Sequence, residues 1–284
     1  MNTKSLQNGF SLPELGLGTW KIGGEREADT SRDNDWIRSI EEAIEIGYRH
    51  IDTAEMYGAG HAEELIGQSI AVIPREELKI ASKVFATNLA YDDIKKSFFA
   101  SLKRLNLGYL DLYYIHAPSE DIPLKETMRA FDELVDEGLV KNIGVSNFTT
   151  ELLEEAQSYS RNKIVANQIE YNLVTREQSN YGGCSKMESE ILPYCQANDI
   201  LVVAYRPLDR GIVLEKNQVM DEMSQKYGKT YSQIAINWLI SQQNIVAIVK
   251  SSKGAHLEED MGGTGWNLDT EDVERLRREY PAKA

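Results

Sequence analysis

Residues 79–116 read KIASKVFATNLAYDDIKKSFFASLKRLNLGYLDLYYIH, and this stretch decides the fold class. Two short apolar runs, KIASKV and YLDLYYIH, flank the amphipathic run YDDIKKSFFASLKRLNL, so the pattern predicts a strand, a helix and a second strand. A helical connection of this length places the two strands parallel to each other, with a right-handed crossover. The stretch therefore predicts one βαβ unit.

The same alternation extends along the rest of the chain. The strand candidates, in order, are LPELGLGTW, HIDTAEMY, KIASKV, YLDLYYIH, KNIGVSN, VANQIEYN, ILVVAYRP and IVAIVKSS. Amphipathic helical runs separate them, and a last one, TEDVERLRREY, follows near the end of the sequence. Eight such units in 284 residues favour an α/β fold of the (β/α)8 TIM-barrel type over an open doubly wound sheet.

No stretch of the sequence has the composition of a linker between domains. The 7 prolines and 20 glycines are scattered between the periodic segments, and no long block of charge interrupts them. Barrels of this type routinely exceed the usual length of one domain. We therefore expect residues 1–284 to form a single barrel domain.

The charge and composition of the chain disfavour some classes of binding partner. The chain is 42% hydrophobic, which is enough for a large core, and its formal net charge of −14 disfavours binding to nucleic acid or anionic lipid. No apolar run approaches the roughly 20 residues of a membrane helix, and no secretory signal is recognisable. We expect a cytoplasmic protein with reduced thiols at Cys184 and Cys195, and the spacing of histidines, cysteines and carboxylates predicts no metal site.

Polar side chains end nearly every predicted strand, where a barrel of this type places its chemistry. They are Thr19 with Trp20, Asp52, Lys83, His116, Ser146 with Asn147, Gln168, Tyr205 with Arg206, and Lys250 with Ser251. Capping of the following helix can explain many of them singly. Lys83 is different, because a lysine in an apolar strand needs a counter-charge. The predicted partner is Asp52.

Tyr57 follows Asp52 in the turn after the second strand. A phenol, with an ordinary pKa of about 10, becomes a useful acid at neutral pH only when a nearby cation stabilises the phenolate. Lys83 can be that cation, and His116 can donate a hydrogen bond to the oxygen that receives the proton. The alternative is structural: Tyr57 packs on Met56, and His116 completes a surface network.

A local positive cluster stands out against the acidic composition. VKSSKGAHLEED places Lys250, Ser251 and Lys253 between the last strand and a helix, and YRPLDRG supplies Arg206 and Arg210. Because barrels commonly bind a phosphate at the last two strand ends, the cluster indicates an anionic ligand. Solvated lysines on a loop are the alternative.

With Asp52, Tyr57, Lys83 and His116 in this order, the chain resembles the aldo-keto reductase superfamily over essentially its whole length. The segments that carry the resemblance are LGLGTW, GYRHIDTAEMYG, YLDLYYIH, GLVKNIGVSNF, ANQIEYN and VAYRPL. It implies an NADP-dependent oxidoreductase that reduces an aldehyde or ketone to an alcohol by hydride transfer. NADP(H) is the implied cofactor, and NAD(H) is also possible.

The resemblance implies a role for each matching residue. Tyr57 corresponds to the general acid, Lys83 and Asp52 to the pair that lowers its pKa, and His116 to the group that orients the carbonyl. The implied substrate-binding residues are Trp20, Tyr57 and His116. Since specificity in this family depends on loops that vary, an open pocket for varied carbonyl compounds is expected, and the physiological substrate and the preferred direction stay open.

The cofactor residues are also implied by the resemblance. Ser146, Asn147 and Gln168 match the ligands of the nicotinamide carboxamide, and Tyr205 matches the ring on which the nicotinamide stacks. The complete implied set is Thr19, Asp52, Ser146, Asn147, Gln168, Tyr205, Arg206, Leu208, Lys250, Ser251, His256, Glu259 and Asp260.

The sequence departs from the family around the adenosine phosphate. His256 replaces an expected arginine, Asp260 replaces an asparagine, and Arg206 stands where a serine is common. The segment TREQSNYGGCSKME, after the sixth strand, is longer than usual.

Two other functions remain open from the residues. A nucleotide-sensing regulatory subunit shares this fold, and a lysine at a strand end can form a Schiff base. The latter requires a lowered lysine pKa, which Asp52 would oppose. The expected partner is a small carbonyl compound, and the expected state is a monomer or a weak oligomer.

Overall fold

The computed structural model describes residues 2–180 and 183–282. Its strands are β1 (Thr3–Ser5), β2 (Ser11–Pro13), β3 (Leu15–Gly18), β4 (His50–Asp52), β5 (Lys79–Val84), β6 (Leu112–Ile115), β7 (Ile143–Ser146), β8 (Ile164–Glu170), β9 (Leu201–Tyr205) and β10 (Ile245–Val249). Its α-helices are α1 (Asp33–Ile46), α2 (His61–Ser69), α3 (Tyr91–Leu105), α4 (Leu124–Asp136), α5 (Thr150–Tyr159), α6 (Leu192–Ala197), α7 (Gln218–Tyr227), α8 (Tyr231–Ile240), α9 (Gly254–Met261) and α10 (Thr270–Glu279).

The strands β3 to β10 form a closed barrel in the order β10-β3-β4-β5-β6-β7-β8-β9. Strands that follow each other in the sequence are therefore neighbours, and the pairs from β3 to β7 are parallel, as are β9 and β10. Each of the eight predicted strands overlaps one barrel strand. The predicted (β/α)8 barrel is confirmed.

Three local features differ from the pattern expected. The short strands β1 and β2 form an antiparallel hairpin before the barrel, and α7 precedes α8; neither feature was predicted. The strands are too short, and α7 too polar, to give a clear period. The helical run expected between the sixth and seventh predicted strands begins instead as a π-turn, Met187–Ile191, and continues as α6, with Pro193 in its first turn.

Contacts divide the chain into two compact units. The first unit comprises residues 1–16 and 168–284, and the second comprises residues 17–167. The single-domain organisation remains a prediction. Within the segment TREQSNYGGCSKME, Tyr181 and Gly182 lie outside the described residues.

Each unit has its own buried apolar residues. In the second unit, Ile51, Ile80 and Leu112 on adjacent strands are fully buried. In the first unit, Trp238 of α8 is fully buried, and its Nε1 donates a hydrogen bond to the Val273 carbonyl oxygen at 3.1 Å. These cores hold the strand ends at which the polar residues lie.

Three further findings bear on the expectations from composition. No helix in residues 2–180 and 183–282 is both long and apolar enough to cross a membrane. Within these same ranges, no group of three or more histidine, cysteine, aspartate or glutamate side chains could hold a metal ion. Burial raises the pKa of Cys184 to about 11 and that of Cys195 to about 12, so both side chains are thiols at neutral pH.

Candidate active site

The four predicted catalytic residues lie together at the carboxyl ends of β4, β5 and β6, which are neighbours in the barrel. Asp52 is the last residue of β4, Lys83 is the penultimate residue of β5, and His116 directly follows β6. Tyr57 begins a 3₁₀ turn, Tyr57–Gly60, after β4. All four residues belong to the second unit.

The Lys83 ammonium group is fully buried and surrounded by oxygen atoms. Its Nζ donates a short hydrogen bond to Asp52 Oδ1 and another to the Thr53 carbonyl oxygen at 2.8 Å, and it lies 3.5 Å from the Tyr57 hydroxyl. Burial lowers the pKa of Lys83, but the Asp52 carboxylate and the Tyr57 hydroxyl together raise it above its usual value. The lysine is therefore a cation at neutral pH, which opposes the Schiff-base alternative.

The His116 ring packs edge-on against Tyr57, with their ring centroids 5.6 Å apart. Burial, together with the charge of Lys83, lowers the pKa of His116 to about 3. Its Nδ1 has no hydrogen-bond partner in the described ranges 2–180 and 183–282. A neutral imidazole has one N–H group, so at neutral pH His116 can donate a hydrogen bond to a carbonyl oxygen but is not a proton source.

Aromatic side chains flank Tyr57 and His116. The Trp20 ring meets Tyr57 edge-on with centroids 4.9 Å apart, and the Phe85 ring meets His116 edge-on with centroids 6.1 Å apart. Trp20 and Phe85 are both partly exposed. Phe85 was missed from the sequence because the search for chemistry at strand ends considered polar residues. Its position directly after β5 is the signal that could have revealed it.

Glu55 was also missed. Its Oε1 accepts a hydrogen bond from the Phe85 backbone N–H at 2.7 Å and another from Asn88 Nδ2 at 3.0 Å. The Glu55 backbone N–H in turn donates to the Lys83 carbonyl oxygen at 3.2 Å. Glu55 therefore ties the loop that carries Phe85 to the segment between Asp52 and Tyr57.

Besides Asp52, three cofactor candidates lie in the second unit. Thr19 is fully buried, and its hydroxyl donates to the Asp52 carbonyl oxygen at 3.0 Å. Ser146 ends β7, and the next residue, Asn147, has a left-handed backbone with φ 60°. Asn147 Nδ2 donates to Ser146 Oγ at 3.1 Å and to the His116 carbonyl oxygen at 3.4 Å. Asn147 and Ser146 thus form a polar pair beside His116, one of the predicted catalytic residues.

The first unit carries four candidates in β8 and at the end of β9. Gln168 lies within β8, Tyr205 ends β9, and Arg206 and Leu208 follow it. Tyr205 is partly exposed, and burial of its hydroxyl raises its pKa. Arg206 Nη1 lies 3.4 Å from Oε1 of the fully buried Glu170, so this arginine also neutralises a carboxylate within its own unit.

The remaining candidates follow β10 in the first unit. Lys250 is exposed, whereas Ser251 is buried, and the Lys253 N–H donates to Ser251 Oγ at 3.1 Å in the turn before α9. His256, Glu259 and Asp260 lie on α9. Burial, reinforced by the charge of Glu259, raises the pKa of Asp260 to about 7, a shift that the sequence did not reveal.

Comparisons with known proteins agree with this geometry. The sequence matches the Aldo/keto reductase family over residues 14–280. It is similar to a glyoxal reductase of Bacillus subtilis (strain 168), with 34% identity over 97% of this chain and 91% of that protein.

Two solved structures extend the similarity to the fold. A thermostable aldo-keto reductase in complex with the inhibitor epalrestat has a TM-score of 0.91 and 44% identity, over 98% of this chain and 99% of that chain. An aldo/keto reductase from Klebsiella pneumoniae, in complex with NADP and acetate, has a TM-score of 0.85 and 30% identity, over 99% and 96%.

Proposed function

The chain belongs to the aldo/keto reductase family, and we propose that it reduces small 1,2-dicarbonyl compounds to hydroxycarbonyl products with Tyr57 as the general acid. The reaction class is the reduction of a carbonyl group to an alcohol by NADPH, and the protein is an NADP-dependent oxidoreductase. None of the proteins compared above is named a regulatory subunit, and no observation favours that alternative.

The proposed role of Tyr57 is supported by the position of the Lys83 ammonium group. A buried ammonium group, kept charged by Asp52, lies 3.5 Å from the Tyr57 hydroxyl. A cation at this distance stabilises the phenolate that remains after proton transfer. A purely structural tyrosine has no need of a fully buried lysine beside its hydroxyl, because burying that charge is costly.

Four residues of this chain have separate roles in the proposed proton transfer. Bound NADPH supplies the hydride that reaches the carbonyl carbon. Tyr57 gives its proton to the carbonyl oxygen, and the Lys83 ammonium stabilises the resulting phenolate, which regains a proton from solvent. The neutral His116 ring donates a hydrogen bond to the same oxygen and thereby orients the carbonyl. Asp52 keeps Lys83 charged and in place.

The donor chemistry of the candidate residues fits a nicotinamide dinucleotide phosphate. In the second unit, the amide of Asn147 and the hydroxyl of Ser146 match a carboxamide, which both donates and accepts hydrogen bonds. In the first unit, the partly exposed Tyr205 ring suits stacking, and the exposed Lys250 beside the Ser251 turn suits a phosphate. We propose Gln168, Arg206, Leu208, His256, Glu259 and Asp260, with Thr19, as further cofactor residues.

The substrate class is proposed from two observations. The site around Tyr57 is bordered by the rings of Trp20 and Phe85, which suits a small planar compound. The relative from Bacillus subtilis is named a glyoxal reductase, and glyoxal is the smallest 1,2-dicarbonyl. The second carbonyl withdraws electrons from the first and makes it a better hydride acceptor.

The test measures NADPH oxidation with glyoxal, methylglyoxal and acetaldehyde. Glyoxal and acetaldehyde each have two carbons, so acetaldehyde is the matched control for size. We expect kcat/KM for the dicarbonyls to exceed that for acetaldehyde by at least about tenfold, which corresponds to about 1.4 kcal/mol. Equal values would contradict the substrate class, and no oxidation with any carbonyl would contradict the function.

A cytoplasmic location and a monomeric or weakly oligomeric state are also proposed. They are supported by the net charge of −14 and by the two buried thiols. The expected partner is the small carbonyl substrate, with neither nucleic acid nor membrane bound. Sedimentation velocity at several protein concentrations would measure the oligomeric state.

A further inference from the structure

We propose that His61 is a positioning residue for this reaction: its imidazolium bridges Asp33 and Glu64 and thereby holds the loop after Trp20 against the turn that carries Tyr57. We name residues 21–32 the Trp20 loop. The inference rests on the proposed function, because it concerns regulation of that same site by pH. All the residues involved lie in the second unit.

The contacts of His61 require a protonated ring. His61 is the first residue of α2, and its side chain is 10% exposed. Its Nε2 lies 2.8 Å from Asp33 Oδ1, and its Nδ1 lies 2.8 Å from Glu64 Oε2. Carboxylates only accept hydrogen bonds, and a neutral imidazole has a single N–H group to donate. Both contacts are therefore hydrogen bonds only when the ring is a cation.

The charged groups around His61 favour that cation. Asp33 begins α1, Glu64 lies in the first turn of α2, and the carboxylate of Asp29 in the Trp20 loop also interacts with the ring. Arg32 is the neighbouring cation, and it pairs with Asp35 at 3.4 Å. Burial lowers the pKa of His61, but the hydrogen bonds and charges of Glu64 and Asp33 outweigh burial and raise it above its usual value.

The Trp20 loop packs tightly on the turn that carries Tyr57. The Gly58 N–H donates to the Glu25 carbonyl oxygen at 3.2 Å. A Cβ added to Gly58 would lie 2.3 Å from the Gly23 carbonyl oxygen, so the two backbones are in direct contact. A Cβ added to Gly23 would lie 2.9 Å from His61 Cδ2. Gly23 therefore contacts both the turn and the imidazole ring.

The two residues that flank the Trp20 loop complete the arrangement. Directly before the loop, the Trp20 ring packs against Tyr57 with centroids 4.9 Å apart, and directly after it Asp33 accepts the hydrogen bond from His61. The His61 bridge therefore fixes a segment that borders the general acid. Loss of the ring proton leaves one carboxylate facing a bare nitrogen, so the contact between the loop and the turn weakens.

The pH dependence follows from the direction of the shift. A histidine whose pKa is raised on folding contributes its full stabilisation below about 6.5, its ordinary pKa, and loses it as the pH rises through the raised value. The loop is therefore held most firmly at mildly acidic pH and is released on the alkaline side.

Two variants separate the charge from the shape of His61. His61→Asn removes the bridge at every pH. Asp33→Asn keeps the bridge but removes its need for a proton, because the asparagine amide can donate to the bare Nε2 while Glu64 accepts from Nδ1–H. Glu45→Gln is the matched control, since it neutralises an exposed carboxylate on α1 about 18 Å along the helix from Asp33.

The experiment measures hydrogen exchange of the Gly58 amide from about pH 6 to about pH 9, relative to an unstructured peptide at each pH. In the parent and in Glu45→Gln, protection should fall at least about tenfold over this range, which corresponds to about 1.4 kcal/mol. Protection should be low throughout in His61→Asn and independent of pH in Asp33→Asn. The KM for glyoxal should rise with pH in the parent but not in Asp33→Asn, whereas kcat should change less.

Two outcomes would overturn the proposal. One is parent-like protection of Gly58 in His61→Asn at about pH 6. The other is parent-like pH dependence in Asp33→Asn, a result that stays decisive if His61→Asn does not fold. Failure of the proposed function would instead appear as a parent protein that does not reduce carbonyl compounds, and the exchange measurement does not depend on that activity.

Discussion

The Tyr57 hydroxyl lies 3.5 Å from an ammonium group that is fully buried, and this neighbour determines what the phenol can do. Lys83 stays charged because Asp52 and the Thr53 carbonyl oxygen accept its hydrogen bonds. His116 stays neutral because burial and the Lys83 charge lower its pKa to about 3. Of these groups, Tyr57 is therefore the proposed proton donor, and His116 is a hydrogen-bond donor.

Tyr57→Phe keeps the ring that packs on Trp20 and removes the acid. We expect kcat to fall by at least about 10²-fold, the lower end for a general acid, while NADPH binds as in the parent. Steady-state kinetics with glyoxal and a fluorescence titration of NADPH would measure the two quantities. Retention of the parental kcat would refute the role of Tyr57.

Asp52→Asn keeps the shape of the partner of Lys83 and removes its charge. Burial then lowers the pKa of Lys83 with less opposition, so the cation beside the phenol is lost at a lower pH. We expect a smaller fall in kcat than for Tyr57→Phe, and an alkaline limb of the kcat profile that moves to lower pH. An unchanged rate together with an unchanged pH profile would show that the two groups are not coupled.

At the scale of elements, the turn Tyr57–Gly60 positions the proposed acid with two consecutive left-handed residues. Gly58 has φ 57°, and Ala59 has φ 52°. Gly58 lies against another backbone, at the carbonyl oxygen of Gly23, whereas Ala59 is exposed. Position 58 therefore has no room for a side chain, whereas position 59 has room for one.

The reciprocal substitutions Gly58→Ala and Ala59→Gly test this difference between the two positions. Gly58→Ala should lower the free energy of unfolding by more than about 2 kcal/mol, because it adds a left-handed penalty and a clash. Ala59→Gly should change it by less than about 1 kcal/mol, and in the stabilising direction, because the penalty disappears while the unfolded chain gains freedom. Urea unfolding would measure both. Equal losses in the two variants would contradict the role of the Gly23 contact.

The loop between β10 and α9 is the element proposed to select the cofactor. Lys250 is exposed next to the turn formed by Ser251 and Lys253. A hydrogen bond to a charged group contributes roughly 1.5–3 kcal/mol, so Lys250 should favour NADPH over NADH by about 10- to 100-fold. We expect Lys250→Met to remove most of this preference. Equal Kd values for both cofactors in the parent would refute the phosphate site.

At the scale of the whole molecule, buried titratable groups make the stability depend on pH in opposing ways. Burial lowers the pKa of His50 to about 4 and that of His116, with Lys83, to about 3, so the folded state resists their protonation. Their contribution to stability falls as the pH decreases below about 6.5. Asp260 opposes them, because its raised pKa, about 7, makes folding less favourable as the pH increases from about 4 to about 7.

Asp260→Asn should separate the contribution of Asp260 to the pH dependence of stability from that of the two histidines. At about pH 8 the variant should be more stable than the parent, by up to about 4 kcal/mol, because it no longer buries a carboxylate. The difference should vanish near pH 4, where Asp260 is protonated in the folded state. Urea unfolding at both pH values would measure it, with Glu258→Gln on the exposed face of α9 as the control. A gain that is the same at both pH values would exclude the proposed ionisation.

The sequence by itself determined the barrel and the positions of Asp52, Lys83 and His116 at neighbouring strand ends. The alternation of strands and helices can be predicted from the local periodicity of apolar residues. The strands of the barrel are then neighbours in the same order as they occur in the sequence. For the same reason the role of general acid could be proposed for Tyr57 from the sequence alone, and it stays a prediction. The cofactor residues remain predictions, because their assignment depends on a ligand rather than on the chain.

Only the tertiary structure decided which distant residues contact one another and how deeply each is buried. Four features of the structure cannot be predicted from the neighbouring sequence. They are the hydrogen bond between His61 and Asp33, the hydrogen bond from the Phe85 N–H to Glu55, the pairing of Arg206 with Glu170 and the burial of Asp260. Each depends on how loops and helices pack around strands that are far apart in the sequence. Periodicity shows which face of an element is buried, whereas contacts between side chains and pKa shifts arise only when the packed elements exclude water.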